Sequence, residues 1–302
     1  MTVTRSALLP SLAMIGSALF WGSVWYPMRQ VAAAGLPGLW SGTLTYGLLI
    51  FPLLPLVIWR RRQLWAGGWP LIVTGASVAA CNVLFAGSMV YGEIAMAILL
   101  FYLSPVWASL LERLVLKTPF TRARWVAIGV ALLGMTILQG VQGRLPLPAN
   151  LSEWFGMLAG MCWAVGLVFT RVGHDVSVVE KSVMQFAFAL PIGFALILLM
   201  GEADLWPGFA VVGAALPWIA ATTLFWVLPA LVLSLWGAGH LSPGRAGMLL
   251  MVEVIVGIGS AAWIAGETVS WNKLVGGALI VSASIIDAWF HAEGGEKKGT
   301  TA

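Results

Sequence analysis

The lysines and arginines of this 302-residue chain sort to two sides of ten apolar stretches, and the two sides are very unequal. Charge-free runs recur: Ser6 to Met28, Gln30 to Trp59, Gln63 to Gly92, Ile94 to Leu111, Trp125 to Gly143, Trp154 to Thr170, Ser182 to Gly201 and Leu205 to Gly244. Each reaches or nears the ~20 residues a helix needs to cross hydrocarbon. Only 9% of the residues are charged, against about 25% in a soluble domain. The pattern predicts an all-α membrane protein of ten transmembrane helices, over 6–29, 38–59, 68–90, 93–115, 122–140, 151–172, 178–200, 208–236, 243–264 and 270–290. Glu253 and Asp287 interrupt the last two, and apolar runs continue on both sides of each.

With the N-terminus in the cytoplasm, that side receives Arg5, Arg60, Arg61, Arg62, Arg113, Lys117, Arg122, Arg124, Arg171, Lys181, Arg245, Lys297 and Lys298. The other side receives only Arg29, Arg144 and Lys273. Short loops keep Lys and Arg on the cytoplasmic side, so both termini are expected there. Basic loops beside an anionic leaflet account for the basic balance, so the lipid bilayer is the expected partner and no nucleic acid is called for. Trp40, Trp59, Trp65, Trp69, Trp125, Trp154, Trp206 and Trp271 lie near span ends, where indole suits the interface. Trp21, Trp107, Trp163, Trp226 and Trp263 lie deeper.

The run after Arg5 is too long for a cleaved signal, whose apolar core is about 7–15 residues, and reads as a retained first helix. Cys81 and Cys162 both fall inside predicted spans, so neither a disulfide framework nor a metal site is expected. His174, His240 and His291 lie apart at span ends. No zinc-protease, nucleotide-loop or nucleophile-elbow motif appears. No cofactor and no catalytic residue is therefore expected, and the polar, Gly-rich segment 292–302 reads as a disordered tail.

Residues 144–150, with Pro146 and Pro148, divide the chain into two halves of five helices, 1–143 and 151–291. Five is odd, so the second half enters the membrane the other way up. Trp21 and Arg29 in the first helix are spaced as Trp163 and Arg171 are in the sixth, and Leu99-Leu100 to Thr118 echoes Leu249-Leu250 to Thr268. The reading is an inverted repeat, an architecture of transporters that hold substrate near the midplane between halves.

Leu103-Ser104-Pro105-Val106 running on to Gly129, and Gly266-Glu267-Thr268 followed by Gly276-Gly277, add motifs to this architecture. Together they resemble the drug/metabolite transporter superfamily, in its EamA-type ten-helix branch. Ser17-Ala18-Leu19-Phe20-Trp21-Gly22-Ser23 and the helix of Glu253 look most like aromatic amino acid exporters of that branch. The first half departs from the pattern, with Lys117 where the second half carries Glu267. The resemblance implies a multi-pass protein of a bacterial cytoplasmic membrane, a cavity lined by Trp21, Tyr102, Trp107 and Trp163, peripheral fifth and tenth helices, and alternating access. One chain supplies both halves, so no obligate protein partner is implied and a monomer suffices.

Glu253 lies ten residues into its span, about 15 Å deep at ~1.5 Å per residue. An ionisable group at that depth is a functional candidate by default, as counter-ion to a substrate ammonium or as a proton carrier. A structural tie between helices is the competing role. The central part of each span lacks Lys and Arg, which disfavours phosphorylated substrates, since phosphate calls for cations. An amino acid-like zwitterion needs less. Tyr46, Asn82, Tyr102, Ser104 and Gln185 can meet its carboxylate. Asn82 and Gln185 serve equally as interhelical ties worth about 0.6 kcal/mol. Glu253, or the face of Trp21 or Trp163, can meet its ammonium. Trp107 joins the aromatic lining. Pro105, Pro191 and Pro229 are candidate hinges, each removing an internal hydrogen bond. A same-fold carrier of a drug-like amine or another metabolite remains an alternative, as does a channel or intramembrane enzyme, though the chain carries neither a filter motif nor a nucleophile–base pair.

Overall fold

The computed structural model describes residues 5–36, 38–117, 122–139, 147–172, 176–201, 206–241 and 243–299. Among them the chain is helical throughout, with no strand. Hydrocarbon offers backbone groups no partner, so apolar runs satisfy themselves as helices. Eight stretches are long and apolar enough to cross a membrane: Leu8–Ala33, Leu39–Trp59, Gly68–Tyr91, Ile94–Val115, Leu151–Val172, Val178–Leu199, Phe209–Ala238 and Arg245–Ile264. Two further apolar helices, Arg124–Leu138 and Trp271–Ile286, are shorter. Of the ten expected spans, eight therefore reach full spanning length among the described residues. Arg144 and His174 lie outside those residues.

Several spans are discontinuous. The first is α1 (Arg5–Ser23) and α2 (Trp25–Ala33), and the second is α3 (Leu39–Gly47) and α4 (Ile50–Trp59). A short α5 (Arg61–Ala66) leads into α6 (Gly68–Tyr91). The next span is α7 (Ile94–Phe101) and α8 (Ser104–Val115), followed by α9 (Arg122–Gln139), α10 (Leu151–Val172) and α11 (Val178–Leu199). Then come α12 (Phe209–Thr222), a π-helical turn (Thr223–Val227), α13 (Leu228–Ala238), α14 (Pro243–Leu250), α15 (Val252–Ile264) and α16 (Trp271–Gly299). The last helix runs to Gly299, through residues read from the sequence as tail; no proline there interrupts it.

Proline explains four of the breaks. A proline has no N–H for the carbonyl four residues earlier, and its ring crowds that carbonyl. Pro27, Pro52, Pro105 and Pro229 deny the usual helical donor to the carbonyls of Ser23, Leu48, Phe101 and Phe225, Leu48 accepting from Phe51 N at 3.2 Å instead, and each of these lies at or within two residues of a helix end or inside the π-helical turn. Of the three expected hinges, Pro105 and Pro229 thus sit at irregular backbone, whereas Pro191 lies inside the unbroken α11. The break between α14 and α15 has no proline; tight three-residue bonds, Met251 N to Met248 O and Val254 N to Met251 O, mark it.

The helices pack in two groups. In one, α10 lies along α6, α7 and α8; in the other, α1 lies along α13, α14 and α15. Beside them α11 packs on α3 and α6, and α9 packs on α16. Close crossings use glycine. A Cβ on Gly160 of α10 would lie 2.7 Å from the carbonyl oxygen of Phe101, and one on Gly156 would lie 3.1 Å from that of Ala97. The Gly156-x-x-x-Gly160 motif is thereby used within the chain. On the other side, a Cβ on Gly22 would lie 2.7 Å from the carbonyl oxygen of Glu253. Both crossings set a helix break against the flank of a neighbouring helix.

Candidate substrate site

Glu253 is the second residue of α15, in its first turn. The partial positive charge of a helix start favours a carboxylate there. The side chain retains partial access to solvent although the residue lies deep in the bundle. Tyr102, in the break between α7 and α8, donates its hydroxyl to Glu253 Oε2 at 3.2 Å. Tyr46 and Cys81 also lie within electrostatic reach of this carboxylate. The α7–α8 junction and the start of α15 thus meet at this carboxyl group.

Aromatic side chains share the apolar core of this part of the bundle. Tyr46 and Tyr102 are buried in one continuous apolar cluster with Val254, and Trp21, Trp107 and Trp226 pack against that cluster. Ser104 is buried at the first position of α8. The indole N–H of Trp107 is buried and has no partner in the structure. Trp163 stands slightly apart. It packs against a second apolar cluster and meets Phe101, the neighbour of Tyr102, at 6.3 Å between ring centres. Phe101 also contacts Phe85 at 4.7 Å. Asn82 donates to Gln185 at 3.2 Å, tying α6 to α11. Of the nine binding candidates, the structure brings Trp21, Tyr46, Tyr102, Trp107 and Glu253 into one neighbourhood. Trp163 reaches it through Phe101, and the Asn82–Gln185 pair spans the facing helices.

Sequence reasoning passed over the residues that hold this arrangement. Trp25 donates to Ser260 Oγ at 2.9 Å, fixing α2 to α15. Trp226 donates to Ser23 Oγ at 3.1 Å and Ser17 donates to the Ala230 carbonyl at 2.8 Å, fixing α1 to the π-helical turn and α13. No periodicity distinguishes these serines and indoles from their neighbours. Only the crossing of the helices pairs them. No group of three or more His, Cys, Asp or Glu side chains that could hold a metal occurs among the described residues. Cys81 and Cys162 are free thiols.

Comparison with known proteins bears on the whole chain. The model of the EamA-like transporter family matches residues 8–139 and again 150–286. An uncharacterized transporter of Archaeoglobus fulgidus is 27% identical over 204 residues, which are 65% of this chain and 67% of that protein. One crystal structure of a protein superposes with a TM-score of 0.55 at 16% identity, over 94% of this chain and 97% of the other, a likeness of fold.

Proposed function

The chain belongs to the EamA-like transporter family and is a multi-pass membrane transporter, and from that premise we propose that it moves small zwitterions, foremost aromatic and other apolar amino acids. The observation that carries this reading is the Glu253 carboxyl, hydrogen-bonded to Tyr102 at a pair of helix breaks, with Tyr102 itself in an apolar cluster that also holds Tyr46 and packs against Trp21 and Trp107. In the proposal Glu253 meets the substrate ammonium, with the faces of Trp21 or Trp163 as further cation partners. The indole N–H of Trp107, the Ser104 hydroxyl and the Asn82–Gln185 pair are the donors offered to the substrate carboxylate. Backbone groups freed at the α7–α8 and α14–α15 breaks add to them, as half-helix ends do in other transporters. The apolar side chain then packs on the aromatics.

The proposal includes ten spans in two inverted five-helix halves, both termini in the cytoplasm, and alternating access as a monomer in a bacterial cytoplasmic membrane. The doubled family match and the two like-positioned helix breaks support the repeat. A carrier of drug-like amines is the second reading, favoured by the same carboxyl–aromatic pairing, which recognises a cation without needing a carboxylate partner. Counterflow of labelled phenylalanine in proteoliposomes tests the first reading. Saturable exchange, competed by tryptophan and not by a simple aromatic amine, is expected. Competition by the amine alone overturns the zwitterion reading in favour of the second.

A further inference from the structure

Arg29, midway along α2, and Glu267, after α15, act together on one corner of the bundle. Arg29 donates to the carbonyl oxygens of Met89 and Gly92, at the C-terminal end of α6, at 3.1 and 2.8 Å. Its guanidinium also meets Glu267 Oε1 at 3.2 Å. The two Glu267 oxygens accept the backbone N–H groups of Ile94 and Ala95, at the start of α7, at 2.9 and 3.2 Å. A cation thus faces carbonyls at one helix end and an anion faces N–H groups at the next helix start, as the partial charges of helix ends favour. Lys273 adds a second link, to Glu93 at 2.6 Å. Arg29 lies on α2, which packs on both α6 and α12, while Glu267 follows α15 of the one group and bonds the start of α7 in the other. The pair therefore clamps one helix group to the other at this end.

The opposite end carries an arginine in the corresponding place, Arg171, and pairs it with an acid, Glu112, that stands five residues before Lys117, the position opposite Glu267. Arg171 closes α10 and pairs with Glu112 of α8. Arg171 follows Trp163 by the interval at which Arg29 follows Trp21. Arg171 and Glu112 both belong to the α6–α8–α10 group, and Glu112 is shared with Arg124 at 2.5 Å. The Arg171 side chain is 56% exposed, against 32% for Arg29. Packing is unequal in the same sense: α6 lies along α11 and α3, while α12 touches α3 only lightly and α13 leans on α1.

We infer that the two pairs are reciprocal gates. Arg29–Glu267 seals its end of the pathway in the conformation seen here, by gripping the α6–α7 corner. Arg171–Glu112 seals the other end in the alternate conformation, by gripping the C-terminal end of α13. This inference rests on the inverted-repeat reading above and is independent of which substrate is carried. Each pair stays within its own helix group and reaches across only when its end is shut.

Distances between spin labels test this in the full chain, with Cys81 and Cys162 replaced by alanine and no substrate added. Labels at the exposed positions Leu151 and Trp271 report the Arg29 end, and labels at Leu114 and Trp236 report the Arg171 end. Glu267→Gln weakens the clamp and is expected to raise the open-to-closed ratio at the Leu151–Trp271 pair by roughly tenfold, the cost of a charge-assisted hydrogen bond. The Leu114–Trp236 distance shortens with it. Arg29→Lys keeps the charge but loses the fork to the carbonyls; it shifts the ratio the same way and serves if Glu267→Gln folds poorly. Arg171→Gln leaves the Leu151–Trp271 pair at its short distance. If both clamp variants, folded, leave that distance unchanged, or if Arg171→Gln opens the same end, the inference is overturned. A failure of phenylalanine counterflow with these shifts intact would sink the substrate reading and leave the gates standing.

Discussion

The Tyr102 hydroxyl and the Glu253 carboxylate meet at 3.2 Å, and each belongs to a span that breaks where the pair forms. Tyr102 follows the last residue of α7, and Glu253 is the second residue of α15. Regular helix on either side would turn these side chains according to the helical period alone. The breaks free them from it and bring two polar groups, far apart in sequence, into one half-buried contact. A buried carboxylate needs a partner, and the phenol supplies one that a substrate ammonium can replace or join.

Glu253→Gln keeps the shape of the side chain and an oxygen for the Tyr102 hydroxyl but removes the charge. Transport is expected to fall by roughly tenfold or more, on the scale of a lost charge-assisted contact, while folded protein remains abundant. Tyr102→Phe, which leaves the charge, should cost less. Initial rates normalised to folded protein decide the matter. Equal rates for Glu253→Gln and the native protein reduce Glu253 to a structural tie.

Aromatic amino acids are expected to outcompete phosphorylated metabolites. Tyr102 holds an acid, Glu253, beside an apolar cluster that includes Tyr46 and packs against Trp21 and Trp107, and a sugar phosphate would have to face that acid without a cation to meet it. Binding measured by thermal stabilisation of the purified protein across both ligand classes is the check. Preferential stabilisation by a sugar phosphate contradicts the assignment.

Gly160→Val is expected to destabilise the bundle by about 1–3 kcal/mol, the usual cost of overpacking. Its Cβ would press on the Phe101 carbonyl, which is backbone and cannot swing away. Gly208→Ala, where a Cβ meets nothing within 4 Å, is the control. Unfolding in mild detergent should separate the two, and identical midpoints would refute the close α7–α10 crossing.

Cysteines placed at Arg61 and at Leu147 in a cysteine-free background should be modified from opposite faces of the membrane, Arg61 from the cytoplasm. The excess of Lys and Arg on the Arg61 side motivates the expectation. Modification of both from one face rules out the ten-span topology.

Sequence alone determined that this chain is a bundle of apolar helices, because hydrocarbon forces every backbone group to be satisfied locally and twenty apolar residues in a row leave no other solution. It marked Glu253 for the same reason, since a charge at that depth is costly and stands out against its surroundings. Of the prolines it marked as hinges, Pro105 and Pro229 lie at irregular backbone and Pro191 inside the unbroken α11, so which proline breaks its helix was decided by the structure. Only the tertiary structure decided what each polar group meets. Tyr102 pairs with Glu253 across 151 positions of chain, Trp25 with Ser260 across 235, and Arg29 with Glu267 across 238. Those meetings depend on how whole helices cross, which glycines let them approach, and which helix ends lie side by side. Such geometry is set by packing summed over the bundle, and no single stretch of sequence contains it.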